Sequence, residues 1–313
     1  MRILLWHVHG AWTTAFVHGE HDYVVPVLPG RGPDGVGIAR TYDWPADRVT
    51  ELPPDALRDE HFDVVVLQRP HELERLAEDW LGRRPGRDVP AVYVEHNAPQ
   101  GRIADMRHPA ADRDDVVLVH VTHFNSLFWD AGSTRTRVIE HGIVDPGERY
   151  SGELPRAAVV INEARRRARV TGTDLLGRFG AAAPLDLFGI DAGSLGGIGD
   201  LPQDRMHTEL ARRRVYVHPI RWTSLGLSLL EAMHLGMPVV ALGTTEVHEA
   251  VPPSAGAVST KVDVLVAAMR ELVHDREQAA ARGRAARAAA LERYGLARFL
   301  DDWDGLLKEV TSG

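Results

Sequence analysis

The chain has 313 residues, with 36 Lys plus Arg against 44 Asp plus Glu, 44% hydrophobic residues and no cysteine. A formal charge of -8 and a pI near 6.0 exclude the broad basic surface of a general nucleic-acid binder, so any anion site must be local. The lack of cysteine excludes a thiol nucleophile, disulfides, Cys-ligated zinc and iron–sulfur clusters.

At about 100 to 200 residues per domain, the length predicts two domains. Residues 1–7 are too short a run for a signal peptide. No stretch reaches the roughly 20 apolar residues of a spanning helix, so a cytoplasmic chain is expected, with peripheral membrane contact left open. Runs at 3–5, 23–28, 63–67, 91–94, 116–121 and 137–139 are predominantly apolar rather than alternating, as parallel strands covered on both faces require. Helices are predicted at 71–81, where Leu73, Leu76, Ala77 and Trp80 fall at helical spacing, and at 126–131.

The second half repeats the pattern, with strands expected at 157–161, 185–188, 215–217, 239–242 and 257–259. Helices fit at 174–179, 204–212, 225–235 and 262–273, followed by an Ala/Arg-rich helix ending near Tyr294. This alternation predicts an α/β chain of two Rossmann-like halves with parallel sheets. The polar, turn-rich residues 145–152 suggest a linker, dividing the chain into 1–146 and 147–295. The last helix, 296–310, carries Phe299, Leu300, Trp303, Leu306 and Leu307 on one stripe and is a candidate to pack back on the first domain.

The most informative segment is 218–240. Ser224 is expected to cap a helix, Gly236 to end it and Pro238 to stop it before the next strand. Ser224, Ser228 and Glu231, four and three apart, share a face of a helix otherwise made of Leu, Ala and Met. Uncapped amides at Ser224, Leu225, Gly226 and Leu227 would suit a phosphate. Glu231, roughly 10 Å further along the axis, would then accept from the hydroxyls of a ribose. The other reading, that Glu231 pairs with an arginine, fits the pattern equally well.

Pro219, Gly226-Leu227, Glu231-Ala232-Met233, Gly236 and Pro238-Val239-Val240-Ala241 resemble the signature of the retaining GT-B glycosyltransferases of family four, the glycosyl transferases of group 1. Gly243-Thr244-Thr245-Glu246-Val247 is similar to that family's Gly-x-x-Glu-Val turn, and Ile139 to Asp145 to the segment that leads into its linker. The resemblance implies a cleft between two Rossmann-like domains, the first facing the acceptor and the second holding the nucleotide sugar. It also implies sugar transfer from a nucleoside diphosphate donor to an unidentified small-molecule or glycan acceptor, with retention, no metal and no further cofactor.

Two departures stand out. Thr223 occupies the position of the family's first glutamate, which implies a donor whose sugar lacks or inverts the hydroxyl that glutamate grips. The family's phosphate-binding Arg and Lys map onto Arg165-Arg166-Arg167-Ala168-Arg169-Val170-Thr171-Gly172, with Thr171 at the lysine position, Arg166 near the arginine position and Arg169 as a replacement cation. Guanidinium forks suit phosphate oxygens, and a run at the end of a parallel strand lies where open α/β sheets bind ligands. Arg165 belongs to the same cluster, which competes with a plain solvated charge run.

In the first half, Gly10 would let the backbone approach the donor phosphate. His96 resembles the family histidine that faces the donor sugar, competing with a structural strand-end histidine, and Asn97 and Thr122 fall on the acceptor side. The remaining histidines show no ligand spacing for a metal. A non-catalytic sugar-nucleotide or glycan-binding protein, or a nucleotide-sugar epimerase, would use the same scaffold.

Overall fold

The computed structural model describes residues 1–38 and 42–312, and the chain divides into two compact units, 1–142 with 296–313, and 143–295. The division falls earlier than the expected break at 146/147. The turn-rich segment belongs with the second unit because Asp145 is held by the Arg287 guanidinium at 2.8 and 2.7 Å.

The first unit is built on a seven-stranded parallel sheet. Its strands are β1 (Arg2–Leu5), β2 (Asp22–Pro26), β3 (Val49–Leu52), β4 (Val64–Leu67), β5 (Ala91–Glu95), β6 (Val117–His120) and β7 (Thr136–Val138), in the order β3-β2-β1-β4-β5-β6-β7. Val64, Val65, Val66 and Leu67 are all buried, which explains the unbroken apolar run: a central strand has no solvent face. Helix α1 (Gly10–Phe16) follows β1 directly. The segment expected as one helix at 71–81 is a π-helical turn, Glu72–Leu76, running into α2 (Ala77–Leu81). Helix α3 (His123–Phe128) begins earlier than expected because Thr122, not a later residue, caps it. The last helix, α11 (Leu296–Thr311), places Trp303 edge-on to Trp12 and Phe16 at 5.7 and 5.0 Å. Such edge contacts add to the burial of large rings.

The second unit carries a five-stranded parallel sheet, β8 (Leu154–Val160), β9 (Leu185–Phe188), β10 (Arg213–His218), β11 (Val239–Leu242) and β12 (Gly256–Ser259), in the order β12-β11-β10-β8-β9. A short helix α4 (Ala164–Arg167) follows β8. One face of the sheet packs against α7 (Leu227–Leu235) and α10 (Arg276–Tyr294) through Leu229, Leu230, Met233, Ala286 and Ala290. The other packs against α5 (Leu176–Ala182) and α9 (Val262–His274) through Phe179, Leu265, Met269 and Leu272. Helix α6 (Gln203–Arg212) precedes β10, and the one-turn helix α8 (Val247–Ala250) follows β11. Gly236 ends α7 at φ 88, the left-handed conformation that glycine adopts without a Cβ clash.

Candidate functional site

In the second unit the segment after β10 is positioned from two sides. Gly172, at φ 73, lies so close to Pro219 that a Cβ there would collide with the Pro219 carbonyl oxygen. Val170 O accepts from the backbone of Arg221 at 2.9 Å. The Arg221 side chain donates to Arg169 O at 2.7 Å and forks onto Asp174 at 2.6 and 2.9 Å. These contacts fasten the loop after β8 to the loop after β10, and only glycine at 172 permits the approach.

The helix start differs from expectation. Ser224 is not the cap: α7 begins at Leu227, and Gly226, in extended conformation, precedes it with no side-chain cap. Ser224 and Leu225 are drawn into the core at 3% and 4% exposure, and Ser224 O accepts from Glu246 N at 3.5 Å. Gly226 takes the cap position, where a Cβ would press on the buried His218 ring at 2.5 Å. The uncapped amides of α7 therefore begin later than expected. Thr223, partly exposed, lies just ahead of them.

Glu231 is 4% exposed on α7. It pairs with no arginine among the described residues; its Oε1 accepts from Gln203 Nε2 at 2.8 Å and lies 3.7 Å from His207 Nε2. Gln203 and His207 sit one turn apart on α6, and no motif or spacing in the sequence pointed to either. Ser228 on the same face receives the Tyr216 hydroxyl at 2.9 Å, which ties α7 to β10.

The arginine cluster separates into distinct environments. Arg166 forks onto Glu163, and Arg169 donates to Asp174 at 3.1 Å, with side chains 70% and 78% exposed. Arg165 donates to Ser194 O at 2.8 Å. The expected phosphate role of Arg166 and Arg169 thus meets a competing carboxylate at each guanidinium, placed there by i,i+3 and i,i+5 neighbours. Arg167 is half-buried, and burial with the adjacent Arg166 charge lowers its pKa. An anion brought beside Arg167 would act in the opposite sense and favour its charged form. Thr171, at the lysine position, is fully buried and donates to Ala168 O at 3.2 Å. A pocket of about 330 Å³, lined by Leu176, Leu185, Leu187, Leu195 and Ile198 among others, includes none of the expected site residues.

In the first unit, His96 follows β5 and is 6% exposed. Its Nε2 faces Gln68 Oε1 at 2.9 Å. The His9 ring lies 4.0 Å away and the Trp12 ring meets it edge-on at 5.0 Å. Burial, then the charges of His9 and His141, hold His96 well below its usual range. His9 is lowered to about 4 and His141 to about 3, each chiefly by burial. Asn97 is exposed, with its N–H on Glu95 Oε1 at 2.7 Å and its carbonyl accepting from Trp129 Nε1 at 2.8 Å. Thr122 does not present its hydroxyl to a surface: it is 1% exposed, and Oγ1 accepts from Asn125 N at 3.1 Å as the cap of α3. Gly10 opens α1, and the space its Cβ would take is filled by the Tyr42 ring. That packing explains the glycine without a phosphate.

Among the described residues no group of three or more His, Asp or Glu side chains is arranged to hold a metal, and no helix is long and apolar enough to cross a membrane.

Residues 195–289 match the family model described as Glycosyl transferases group 1. No curated protein sequence matches the chain. Among solved structures, a sucrose-phosphate synthase from Thermosynechococcus elongatus superposes with a TM-score of 0.75 at 12% identity, over 100% of this chain and 99% of that one. HepE from Anabaena, solved in complex with UDP-glucose, superposes with a TM-score of 0.70 at 14% identity, over 99% and 100% of the two chains. A glycosyltransferase from Rickettsia africae gives 0.65 at 11% identity, over 99% and 98%. At these identities the likeness is one of fold: the two parallel-sheet units match those of GT-B glycosyltransferase structures, and residues 195–289 of the second unit carry the group 1 glycosyl transferase match.

Proposed function

We propose that the chain is a glycosyltransferase that moves a sugar from a nucleoside diphosphate donor to a hydroxyl acceptor, with retention and without a metal. The observation that carries this reading is Glu231: a buried carboxylate on α7, below an uncapped helix start, held by a neutral amide from Gln203 rather than neutralised by an arginine. A carboxylate with remaining acceptor capacity is suited to paired ribose hydroxyls. The uncapped amides after Gly226 and the Arg167 guanidinium would stabilise the diphosphate as its bond to the sugar breaks. On the first unit, His96 and the exposed Asn97 would meet sugar or acceptor hydroxyls. No side chain is assigned as a nucleophile; a front-face route, in which the leaving phosphate takes the acceptor proton, needs none.

Because HepE was solved with UDP-glucose, UDP sugars are the first donors to test, alongside GDP, ADP and TDP sugars. Calorimetry should show nucleoside diphosphate binding, and donor turnover should appear with an acceptor panel. Thr223 favours a donor lacking or inverting one sugar hydroxyl, since a neutral hydroxyl replaces a charged acceptor and costs about 1 kcal/mol of recognition. A competition assay of deoxy against unmodified hexose donors decides this. The same substitution supports the second reading, a sugar-nucleotide binder without transfer, which binding without donor turnover would favour.

A further inference from the structure

We propose that Gln203 is a specificity-determining residue: with Glu231 it forms a pair of hydrogen-bond acceptors that reads both hydroxyls of a ribose, selecting a ribonucleoside diphosphate over its 2′-deoxy counterpart. This deepens the proposed function and rests on it for placing a nucleotide against Glu231.

Which atoms are able to donate decides how the pair is oriented. A carboxylate only accepts, so the nitrogen end of the Gln203 amide must face Glu231 Oε1, 2.8 Å away. The bond therefore commits one end of each side chain and leaves the other end over: Oε1 of Gln203 and Oε2 of Glu231. Among the described residues these two oxygens have no hydrogen-bond partner, yet neither is one of the sealed, unpaired atoms of the interior. His207 Nε2 stands 3.7 Å from Glu231 Oε1, too far for a hydrogen bond.

Packing holds both side chains in place. Gln203 is the first residue of α6, and Leu210 on that helix shares one buried cluster with Leu229, Leu230 and Met233 on α7. The chemistry of the partner matters as much as its position. An arginine at 203 could fork onto both carboxylate oxygens and cancel the charge, whereas a neutral amide takes one oxygen and leaves the second.

Two neighbouring acceptors call for two neighbouring donors. The 2′- and 3′-hydroxyls of a ribose are such a pair, each able to donate. A deoxyribose offers only one of them, so one acceptor would give up its water without gaining a partner. A site built to hydrogen-bond a hydroxyl discriminates against a ligand that lacks it. TDP sugars, built on deoxyribose, should therefore be the poorest of the donors named above.

The test uses the full chain and compares UDP with 2′-deoxy-UDP by calorimetry, two ligands that share base and phosphates. The unaltered chain should bind UDP about tenfold more tightly or better, the scale of one lost hydrogen bond. Equal affinity overturns the proposal, and this measurement requires no variant to fold. Gln203→Leu should weaken UDP about tenfold and 2′-deoxy-UDP little, bringing the two affinities together. An unchanged ratio in a folded Gln203→Leu also overturns the proposal, because general damage to the site weakens both ligands alike. GDP and ADP, each with its 2′-deoxy form, take the place of UDP if the chain binds those instead. Binding of none of the three would strike the proposed function and this inference with it, whereas binding without discrimination strikes only the role of Gln203.

Discussion

The loop ends of the two parallel sheets differ in the balance of their titratable groups, although the first unit also pairs Arg69 with Asp34 and Glu72 after β4. In the second unit, charge is kept and paired: Arg166 with Glu163, Arg169 and Arg221 with Asp174, and Asp145 with Arg287. In the first unit, imidazoles are enclosed and held neutral, with His9 and His120 lowered to about 4 and His141 to about 3. Among the described residues, both ring nitrogens of His120 and of His141 lack a hydrogen-bond partner. Under the proposed function, the second sheet would offer fixed charge to an anion and the first neutral donors and acceptors to hydroxyls. The second unit also encloses His218, lowered to about 4, so the difference is one of number.

Acid should disturb this contrast most severely. A histidine neutral in the fold takes up a proton on unfolding once the pH falls below its ordinary value of 6.5, so the unfolded chain then binds more protons and stability falls as the pH falls. The loss should begin near pH 6.5 and continue toward pH 4 and 3, where His9, His120 and His141 titrate in the fold. Each pH unit by which burial lowers such a group corresponds to about 1.4 kcal/mol, so together they represent several kcal/mol, more in the first unit than in the second. Hydrogen exchange across about pH 7 to 4.5, the upper part of this titration, should show the first sheet losing protection before the second; equal loss would remove the distinction.

Next in size, Trp303→Ala removes a fully buried ring from between Trp12 and Phe16 and should cost the first unit about 3 to 5 kcal/mol, read by denaturant unfolding. Six of the seven tryptophans lie in that unit, with Trp222 in the other. Tryptophan fluorescence therefore reports chiefly the first unit, and nucleotide affinity, under the proposed function, the second.

In the second unit, Glu231→Gln should weaken nucleoside diphosphate binding by about 1 to 3 kcal/mol, the range for charged hydrogen bonds, with the fold intact. Unaltered affinity by calorimetry removes the ribose role. Arg167→Ala should weaken binding of the diphosphate and leave the free nucleoside unaffected. The smallest effect is expected from Arg166→Ala, whose guanidinium is largely solvent-exposed and already engaged by Glu163; surface pairs of this kind carry little stability. An affinity loss at Arg166 or Arg169 larger than at Arg167 would return the phosphate role to the two arginines singled out by the sequence.

Which elements could be read from the sequence follows from their surroundings. The helix expected at 225–235 was readable, two residues early at its start, because its Leu and Met residues recur up to Gly236, and β11 and β9 coincide with their apolar runs. Helix α1 was missed because Trp12, Thr13, Thr14, Ala15 and Phe16 are all buried, so no polar face marks its period. Strand β3, with Val49, Thr50, Glu51 and Leu52 at the sheet edge, has too little apolar content to stand out from a loop.

The alternation of strands and helices, the parallel sheets and the place of Glu231 on its helix were all written in local pattern, because periodicity and turn residues act over a few neighbours. Which groups meet was settled only by packing. Gln68 reaches His96 across 28 positions and Gln203 reaches Glu231 across another 28, contacts set by strand register and helix packing that leave no local trace. The same holds for the arginines. Their charge was visible in the sequence, but whether a guanidinium faces a carboxylate, a carbonyl or an incoming anion depends on how the loop after β8 is fastened against Pro219.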